Sequence, residues 1–247
     1  MRLESSPLRL AILTSQGAPG VEALTDDHRF EVVYEIVATI DGSARRPPRN
    51  LNNRRVFDRE LADSLQEAGA DFVLMAGYPW ILTAPMLEAF PGKIIALHEG
   101  DLTLLDENGQ RRYKGLHPVR TALFDGLDQT RCSAFVVTES VDEGPLFLLG
   151  APYRIPPAAA DAQRRGDAAL VAAYADVHRA WMIRDAWGPM LRRIVELLAA
   201  GTMQTVGDVV WVDGVPGPCM LGEAPVACHH DHPHESGIPR SCPFLTT

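Results

Sequence analysis

The sequence predicts an α/β domain with a mostly parallel, twisted sheet and helices on both faces. Two observations carry this prediction. Short apolar runs alternate with segments of helical periodicity, and residues 71–76 (DFVLMA) are almost continuously apolar, as strands are when a parallel sheet buries both of its faces. The chain has 247 residues, 46% of them hydrophobic, so it can form a large core without a disulfide framework.

The elements expected before residue 70 are, in order, a buried strand (8–14), a turn-rich segment (15–20) with a short helix, a strand (30–39), a loop (41–55) and a helix. Apolar and β-branched runs indicate the two strands. The loop follows from its glycine, two prolines and five arginines. The helix follows from the spacing of Phe57, Leu61 and Leu65, and Gly69 ends it.

The middle of the chain repeats the alternation. The expected elements are a strand (71–76), a break (77–80), a helix capped by Thr83 and running to Phe90, a strand (93–97), a long loop (98–115), a helix (118–124) and strands over 133–138 and 146–153. Strands that alternate with helices in this way pair in parallel within one sheet.

From Asp167 the chain is predicted to be helical, with a kink at Gly188-Pro189. An apolar stripe at helical spacing predicts a packing face, formed by Trp187, Met190, Leu191, Ile194, Leu197 and Leu198. Residues 209–214 then predict a strand that enters a tight turn.

Ligands of such sheets bind beyond the carboxyl ends of the strands, here the loops after Thr14, Ala76 and Leu97. His98 is predicted to be the first residue past a strand end, either a catalytic group or a polar loop residue. Asp142 precedes Glu-Gly-Pro, a setting typical of a turn former as well as of a catalyst. The residues alone leave both alternatives open.

Four segments that follow one another in the sequence favour the catalytic interpretation of both residues. They are LMAGYPWIL (74–82), GKIIALH (92–98), KGLH (114–117) and VTESVDEGP (137–145). Together they resemble the formyltransferase family, most closely its glycinamide ribonucleotide branch. The resemblance spans about residues 8–212. It implies a formyltransferase-type, Rossmann-like fold and the transfer of a formyl group from 10-formyltetrahydrofolate to an amine.

The resemblance also implies roles for individual residues. By position, His98 and Asp142 match two members of the family's Asn-x-His…Asp triad. The loop that cradles the pterin corresponds to Gly77, Tyr78, Trp80, Ile81 and Leu82, and the loop that closes over it to Thr138, Glu139, Ser140 and Val141.

The triad asparagine is absent, because Ala96 occupies its position. Loss of one such oxyanion donor typically lowers the rate about a hundred- to a thousandfold. Asn108, Lys114 and His117 are the candidate substitutes, and His117 also matches a family histidine that makes a scaffold or acceptor contact.

The acceptor side departs from the glycinamide ribonucleotide enzymes as well. Their phosphate-binding loop corresponds to residues 15–20, which include Gly17, and Pro19 there has no amide hydrogen to donate. Glu99 and Glu143 are expected to add negative charge near the site. The sequence therefore predicts an amine of a small metabolite as the acceptor, different from glycinamide ribonucleotide, and the added charge suits a cationic or amino acceptor better than a phosphorylated one.

Two other functions remain open. One is a hydrolase that releases formate from 10-formyltetrahydrofolate, since water can replace the amine; the other is a folate-binding family member without catalysis, which Ala96 favours. The net charge of -9 argues against nucleic-acid binding. No segment has the apolar length of a membrane span or the pattern of a secretory signal, so we expect a cytoplasmic protein, and a homodimer remains open.

The sequence divides at residue 215 into a catalytic domain (1–215) and a Cys/His-rich tail (216–247). The tail offers zinc-type ligands in Cys228, His230, His232 and His234, but their spacing matches no standard finger. A solvated tail without metal is the main expectation.

Overall fold

The structure is a computed structural model that describes residues 7–15, 20–24, 28–38, 47–222 and 226. Its strands are β1 Leu8–Ser15, β2 Phe30–Ala38, β3 Phe72–Ala76, β4 Ile94–His98, β5 Gln129–Thr130, β6 Ser133–Val136, β7 Leu146–Leu149, β8 Tyr153–Arg154, β9 Met203–Val206, β10 Val209–Val212, β11 Val215–Pro216 and β12 Cys219–Met220. Its α-helices are α1 Leu51–Glu67, α2 Ala84–Ala89, α3 Pro118–Phe124, α4 Pro157–Arg164 and α5 Ala168–Ala200, and Val21–Leu24 form a short 3-10 helix.

The main sheet has seven strands in the order β12-β7-β6-β4-β3-β1-β2. β4, β3, β1 and β2 pair in parallel, whereas β6 is antiparallel to both β4 and β7, and β12 is parallel to β7. The predicted mostly parallel α/β sheet is therefore confirmed. Because β6 is antiparallel to β4, its start lies beside the end of β4 and its end lies beside the start of β4.

Helices cover both faces of this sheet, as the alternation in β1 shows. Leu10 and Ile12 belong to the core that packs on α5, whereas Ala11 and Leu13 belong to a second core with residues of α1 and α2. Side chains of a strand alternate between faces, so the two cores lie on opposite sides of the sheet. The predicted packing face of α5 is confirmed, because all six residues of its apolar stripe are buried.

Several predicted boundaries are wrong. The expected loop over 41–55 ends early, because α1 begins at Leu51, where the Asn50 side chain accepts hydrogen bonds from the amides of Asn52 and Asn53. His98 is the last residue of β4 rather than the first after it, since it pairs with Ser133 of β6.

One further element differs from the expected one. The strand predicted over 146–153 is two strands, because Tyr153–Arg154 leaves the main sheet and pairs with β5 instead. α5 continues through Gly188-Pro189, the position of the predicted kink, as one helix of 33 residues with Pro189 inside it. Gly188 lies where Gly20 approaches the helix, since a Cβ on Gly20 would come within 2.6 Å of the Gly188 nitrogen.

The domain extends past the boundary expected at residue 215. β12 is the edge strand of the main sheet, and Val226 forms a bridge with Tyr153, so this part of the predicted tail belongs to the domain. The turn expected at residues 213–214 is present, with Asp213 and Gly214 at φ of 52° and 79° between β10 and β11. In the described part of the chain, no helix has both the length and the apolar character needed to cross a membrane.

Candidate active site

The site lies over one face of the sheet, from the edge where the adjacent parallel strands β3 and β4 end to the segment that follows β6. A cavity of about 330 Å³ opens there. Three segments line most of it: residues 77–82 after β3, residues 96–99 at the end of β4 and residues 137–142 after β6. Met75, Gly115, Leu116, Phe135 and Arg179 complete its walls. The volume falls in the range typical of small-molecule sites.

His98 enters this cavity with a defined hydrogen-bonding arrangement. It is only 6% exposed, and its Nε2 lies 2.7 Å from the backbone oxygen of Tyr113. A carbonyl oxygen only accepts, so Nε2 is the nitrogen that carries hydrogen and donates it. In the neutral ring Nδ1 is then the basic nitrogen, and it faces Oδ2 of Asp142 at 3.7 Å.

Gly100 makes this arrangement of His98 possible. A Cβ at that position would lie 2.3 Å from the Tyr113 oxygen and 2.9 Å from Nε2 of His98. Both distances are far below contact distance, so any side chain on residue 100 would separate the carbonyl from the imidazole.

Asp142 is both a turn residue and a member of the site. Its φ of 56° is in the left-handed region that few non-glycine residues adopt. Its Oδ2 accepts a hydrogen bond of 2.7 Å from the Gly115 amide, and its own backbone oxygen accepts one of 2.6 Å from Nη1 of Arg111. The sequence left open whether Asp142 forms a turn or belongs to the site. Both interpretations apply, because the turn directs the carboxylate toward His98.

The segment 77–82 is held from inside the domain by α1. Nη1 of the buried Arg54 donates to the backbone oxygen of Ile81 at 2.9 Å. The fully buried Asp58 accepts from the Thr83 amide at 2.6 Å and from its hydroxyl at 2.7 Å. Burial raises the pKa of Asp58, and the two hydrogen bonds from Thr83 and the charge of Arg54 oppose this shift.

Two aromatic residues of this segment contact each other edge to face. The rings of Tyr78 and Trp80 have centroids 5.2 Å apart at an interplanar angle of 61°. Burial raises the pKa of the Tyr78 hydroxyl, and the nearby Asp58 carboxylate raises it further, so the phenol stays neutral. The segment therefore presents a rigid, largely apolar wall to the cavity.

The two acidic residues expected to add negative charge are both paired with cations. Glu99, which is 9% exposed, forms an ion pair with Arg179 of α5. Glu143 lies 2.7 Å from Nζ of Lys114 and 3.7 Å from Nε of Arg111. Because each carboxylate has a cationic partner, the expected preference for a cationic acceptor loses its basis.

Ala96 lies in an apolar part of the cavity wall. It is 7% exposed, clusters with Leu102 and Phe135, and pairs with Phe135 across the sheet. Neither of these neighbouring side chains has a hydrogen-bond donor. The three candidate substitutes for the missing amide are all exposed and lie outside the cavity lining: Asn108, Lys114 and His117.

The structure brings most of the predicted site residues to this one cavity. Its lining includes His98, Asp142 and Glu99, together with Gly77, Tyr78, Trp80, Ile81, Leu82, Thr138, Glu139, Ser140 and Val141. Their binding roles remain predictions. His117 lies outside the lining, as the residue that precedes α3. Gly17, Cys228, His230, His232 and His234 lie outside the described residues.

Sequence reasoning missed the residues that hold the site together. Tyr113 contacts His98 from 15 positions away, Arg111 contacts Asp142 from 31, and Arg179 contacts Glu99 from 80. These contacts form between different elements, so no local spacing predicts them. The available signal was Gly100, two residues after the candidate histidine, where a glycine suggests close backbone approach.

Comparisons with known proteins support the family resemblance. A family model described as formyl transferase matches residues 10–163. The human trifunctional purine biosynthetic protein adenosine-3 is 28% identical over 228 residues, and the formyltetrahydrofolate deformylase of Escherichia coli O6:H1 is 27% identical over 120 residues. These matches cover 85% and 49% of this chain. They cover 20% and 36% of those two proteins, so this chain spans a minor part of either.

A solved structure gives the same result over most of the fold. Glycinamide ribonucleotide transformylase 1 from Symbiobacterium toebii superimposes with a TM-score of 0.57 at 25% identity, covering 84% of this chain and 94% of that chain. The family model covers more than half of the sequence. The resemblance predicted from four short segments is thus confirmed, and the chain belongs to the formyl transferase family.

Proposed function

We propose that the protein transfers a formyl group from 10-formyltetrahydrofolate to an amine of a small metabolite, with His98 and Asp142 assisting the transfer. One observation carries the proposal. Nδ1 of His98 and Oδ2 of Asp142 face each other at 3.7 Å inside a cavity whose walls are the two loops that the family resemblance assigns to the folate.

The residues of the cavity fit a folate. The Tyr78–Trp80 pair and Leu82 offer flat, apolar surfaces on one side, and the backbone of residues 138–141 offers polar groups on the other. When bound, 10-formyltetrahydrofolate would supply the formyl carbon as an electrophile.

The role of His98 follows from its fixed tautomer. Attack by an amine places negative charge on the formyl oxygen and positive charge on the amine nitrogen. With Nε2 held by the Tyr113 carbonyl, Nδ1 is the atom that exchanges a proton, and in its protonated form it stabilises the negative charge. The Asp142 carboxylate stabilises the positive charge that this proton places on the imidazole.

Glu99 is a predicted acceptor contact, and it lines the cavity together with Arg179. Because these two charges compensate each other, we assign the acceptor only as an amine of a small metabolite. Glycinamide ribonucleotide is not the proposed acceptor, since Pro19 cannot donate an amide to its phosphate.

A second candidate function is folate binding with slow or no transfer. The apolar surroundings of Ala96 favour it, because the wall where the family has an amide donor holds Leu102 and Phe135 instead. A third, hydrolysis of the formyl-folate, is suggested by the relative named formyltetrahydrofolate deformylase.

One series of measurements separates the three functions. We would measure binding of tetrahydrofolate, release of formate without an amine, and formyl transfer to a panel of phosphorylated and unphosphorylated amines. Transfer that depends on an amine supports the proposal, formate release without one supports hydrolysis, and binding without turnover supports the second candidate. We expect His98→Gln to lower kcat about a hundred- to ten-thousandfold, with tetrahydrofolate binding largely retained.

His28→Gln is the matched control, because His28 is exposed and outside the cavity lining. Equal activity of His98→Gln and the wild type would refute the proposed role of His98. Ala96→Asn adds a sharper test: a gain of about a hundredfold would identify the missing amide as the limiting feature, as loss of one oxyanion donor has an effect of that size.

A further inference from the structure

We propose that Arg111 is a positioning residue that holds Asp142 in place for its interaction with His98. Nη1 of Arg111 donates a 2.6 Å hydrogen bond to the backbone oxygen of Asp142. Nε of the same guanidinium lies 3.7 Å from Oε2 of Glu143, the next residue. The inference rests on the proposed function, because it assigns Arg111 a role in the same site.

Two other groups hold the loop that carries Asp142. The Gly115 amide donates to Oδ2 of Asp142 at 2.7 Å, and Lys114 pairs with Glu143 at 2.7 Å. Among the described residues, however, only Arg111 donates a side-chain hydrogen bond to the Asp142 backbone oxygen. Residues 138–141 are exposed, and the hydrogen bonds of this stretch include a 3.4 Å contact from the Thr138 hydroxyl to the Ser140 oxygen and a 3.2 Å contact from the Glu143 amide to the same oxygen. The Asp142 backbone is also in the left-handed region, which a non-glycine residue keeps only when its surroundings require it. The hydrogen bond from Arg111 to the Asp142 carbonyl stabilises this backbone conformation.

Arg111 is suited to this task by its burial and by the shape of its side chain. Only 13% of that side chain is exposed. Burial lowers the pKa of the guanidinium, and the carboxylates of Glu143 and Asp142 oppose this shift. The planar guanidinium presents its donors at fixed angles, so it reaches the Asp142 carbonyl and the Glu143 carboxylate together, which a lysine ammonium does less well.

The preceding strand end fixes the other side of the loop. A Cβ on Gly144 would lie 1.7 Å from the Val136 oxygen, so the chain after Asp142 passes directly against β6. With residue 144 fixed there and Arg111 holding the carbonyl of residue 142, the carboxylate that faces His98 is fixed from both sides.

Arg112 provides a matched control within the same loop. Its side chain is 47% exposed and pairs with Asp125 at 2.9 Å, and its guanidinium lies over the Tyr113 ring. The substitution Arg112→Gln therefore removes the same charge from the neighbouring position without removing a hydrogen bond to Asp142.

The test is a double-mutant cycle in the full chain with Arg111→Gln, Asp142→Asn and both together. A positioning role predicts that Arg111→Gln lowers kcat/KM about ten- to a hundredfold in the wild type, since small misplacement of a reacting group has effects of that size. The same substitution should change it less than twofold in the Asp142→Asn background, because the group being positioned is no longer functional. Arg112→Gln should stay within twofold.

Additive effects in the cycle, or an equal loss for Arg112→Gln, would overturn the inference and leave the proposed function standing. If the wild type binds tetrahydrofolate without turnover, the same cycle is run on its Kd, with a loss of at least threefold expected for Arg111→Gln. A wild type that binds no tetrahydrofolate refutes the proposed function itself. If Arg111→Gln fails to fold, Arg111→Lys replaces it and should show an intermediate loss.

Discussion

The two loops that face each other across the cavity are held in different ways. Residues 77–82 are held from within the domain, where Arg54 and Asp58 of α1 contact the backbone at Ile81 and Thr83. Residues 138–143 are held by the largely buried Arg111, by the Gly115 amide and by the exposed Lys114. One wall of the site is therefore held entirely from the core, whereas the other also depends on a partly solvated ion pair, Lys114–Glu143.

This difference has a physical consequence for how the site responds to dissolved salt. Buried charges interact strongly and are little affected by dissolved salt, and removal of one partner leaves the other uncompensated. Surface pairs are weak and screened. We therefore expect dissolved salt to leave the first wall unchanged and to loosen the second, where Lys114 pairs with Glu143. Three measurements test the comparison, from the largest expected effect to the smallest.

The largest effect is expected from Asp58→Ala. The substitution removes both hydrogen bonds to Thr83 and the buried carboxylate whose charge interacts favourably with that of Arg54. Hydrogen bonds to a charged group typically contribute about 1.5–3 kcal/mol each, so we expect the free energy of unfolding to fall by about 3–5 kcal/mol. Urea unfolding monitored by circular dichroism measures it.

Asp63→Ala is the matched control, because Asp63 lies on the same helix and is exposed. Its effect should stay within about 0.5 kcal/mol. Asp58→Asn should recover part of the loss, since an amide oxygen still accepts from Thr83. A loss from Asp58→Ala no larger than that of the control would show that the first loop does not depend on the core.

The second-largest effect is a loss of stability at low pH. It comes from the core rather than from either loop. Burial lowers the pKa of His178 to about 4, from its ordinary value near 6.5. Between these values the unfolded chain binds more protons than the native protein, so stability falls as the pH is lowered from 6.5 to 4, by about 3 kcal/mol in total. Asp58 acts in the opposite direction, because its raised pKa makes the native state the better proton acceptor above its ordinary value.

Unfolding of His178→Gln over the same pH range checks the assignment. The variant should lose much less stability between pH 6.5 and 4, although it begins less stable. If wild type and variant lose stability in parallel, the acid sensitivity comes from other groups, and carboxylates of the second loop become the first to examine.

The smallest effect is expected from salt. Raising the concentration of NaCl from about 0.05 M to about 0.5 M shortens the range of surface electrostatics severalfold. The Gly115 amide donates to Asp142 in the second loop, and the Thr83 amide donates to Asp58 beneath the first. Hydrogen exchange of Gly115 should accelerate about two- to fivefold, as expected for weak exposed pairs, whereas that of Thr83 should not change.

Lys114→Gln should abolish most of the salt dependence at Gly115, because it removes the 2.7 Å pair with Glu143. Equal acceleration of both amides would contradict the distinction between the two walls.

The fold was predictable because it follows from local patterns. Apolar runs and helical spacing identified the strands that define the sheet, and the α5 stripe was recognised from the periodicity of residues such as Trp187 and Ile194. Errors arose where a contact distant in sequence overrides local composition. Tyr153 looks like a continuation of β7, yet it pairs with Thr130 in a separate ribbon. The arginine-rich segment before Arg55 looks like a loop, yet Asn50 caps a helix there.

The residues of the candidate site also fall into two groups, those that the sequence could identify and those that depend on the fold. His98 and Asp142 could be selected because their segments resemble a family, and the structure places them together. The partners that fix their geometry could not be selected, since Arg111 and the Tyr113 carbonyl act through backbone hydrogen bonds that depend on the whole fold. Charge was also misjudged from sequence, because Glu99 meets its cationic partner only on α5.

Position 100 shows how a substitution at a residue without a reactive group can change the chemistry of the site. Gly100 contributes no reactive group, yet even an alanine there would force the Tyr113 carbonyl away from the imidazole. The hydrogen on Nε2 would then lose its acceptor, and either nitrogen of His98 could carry it. After a change at this residue without a side chain, the fold would no longer fix which nitrogen of the histidine is the base. A search for inactivating mutations confined to chemically functional residues would overlook it.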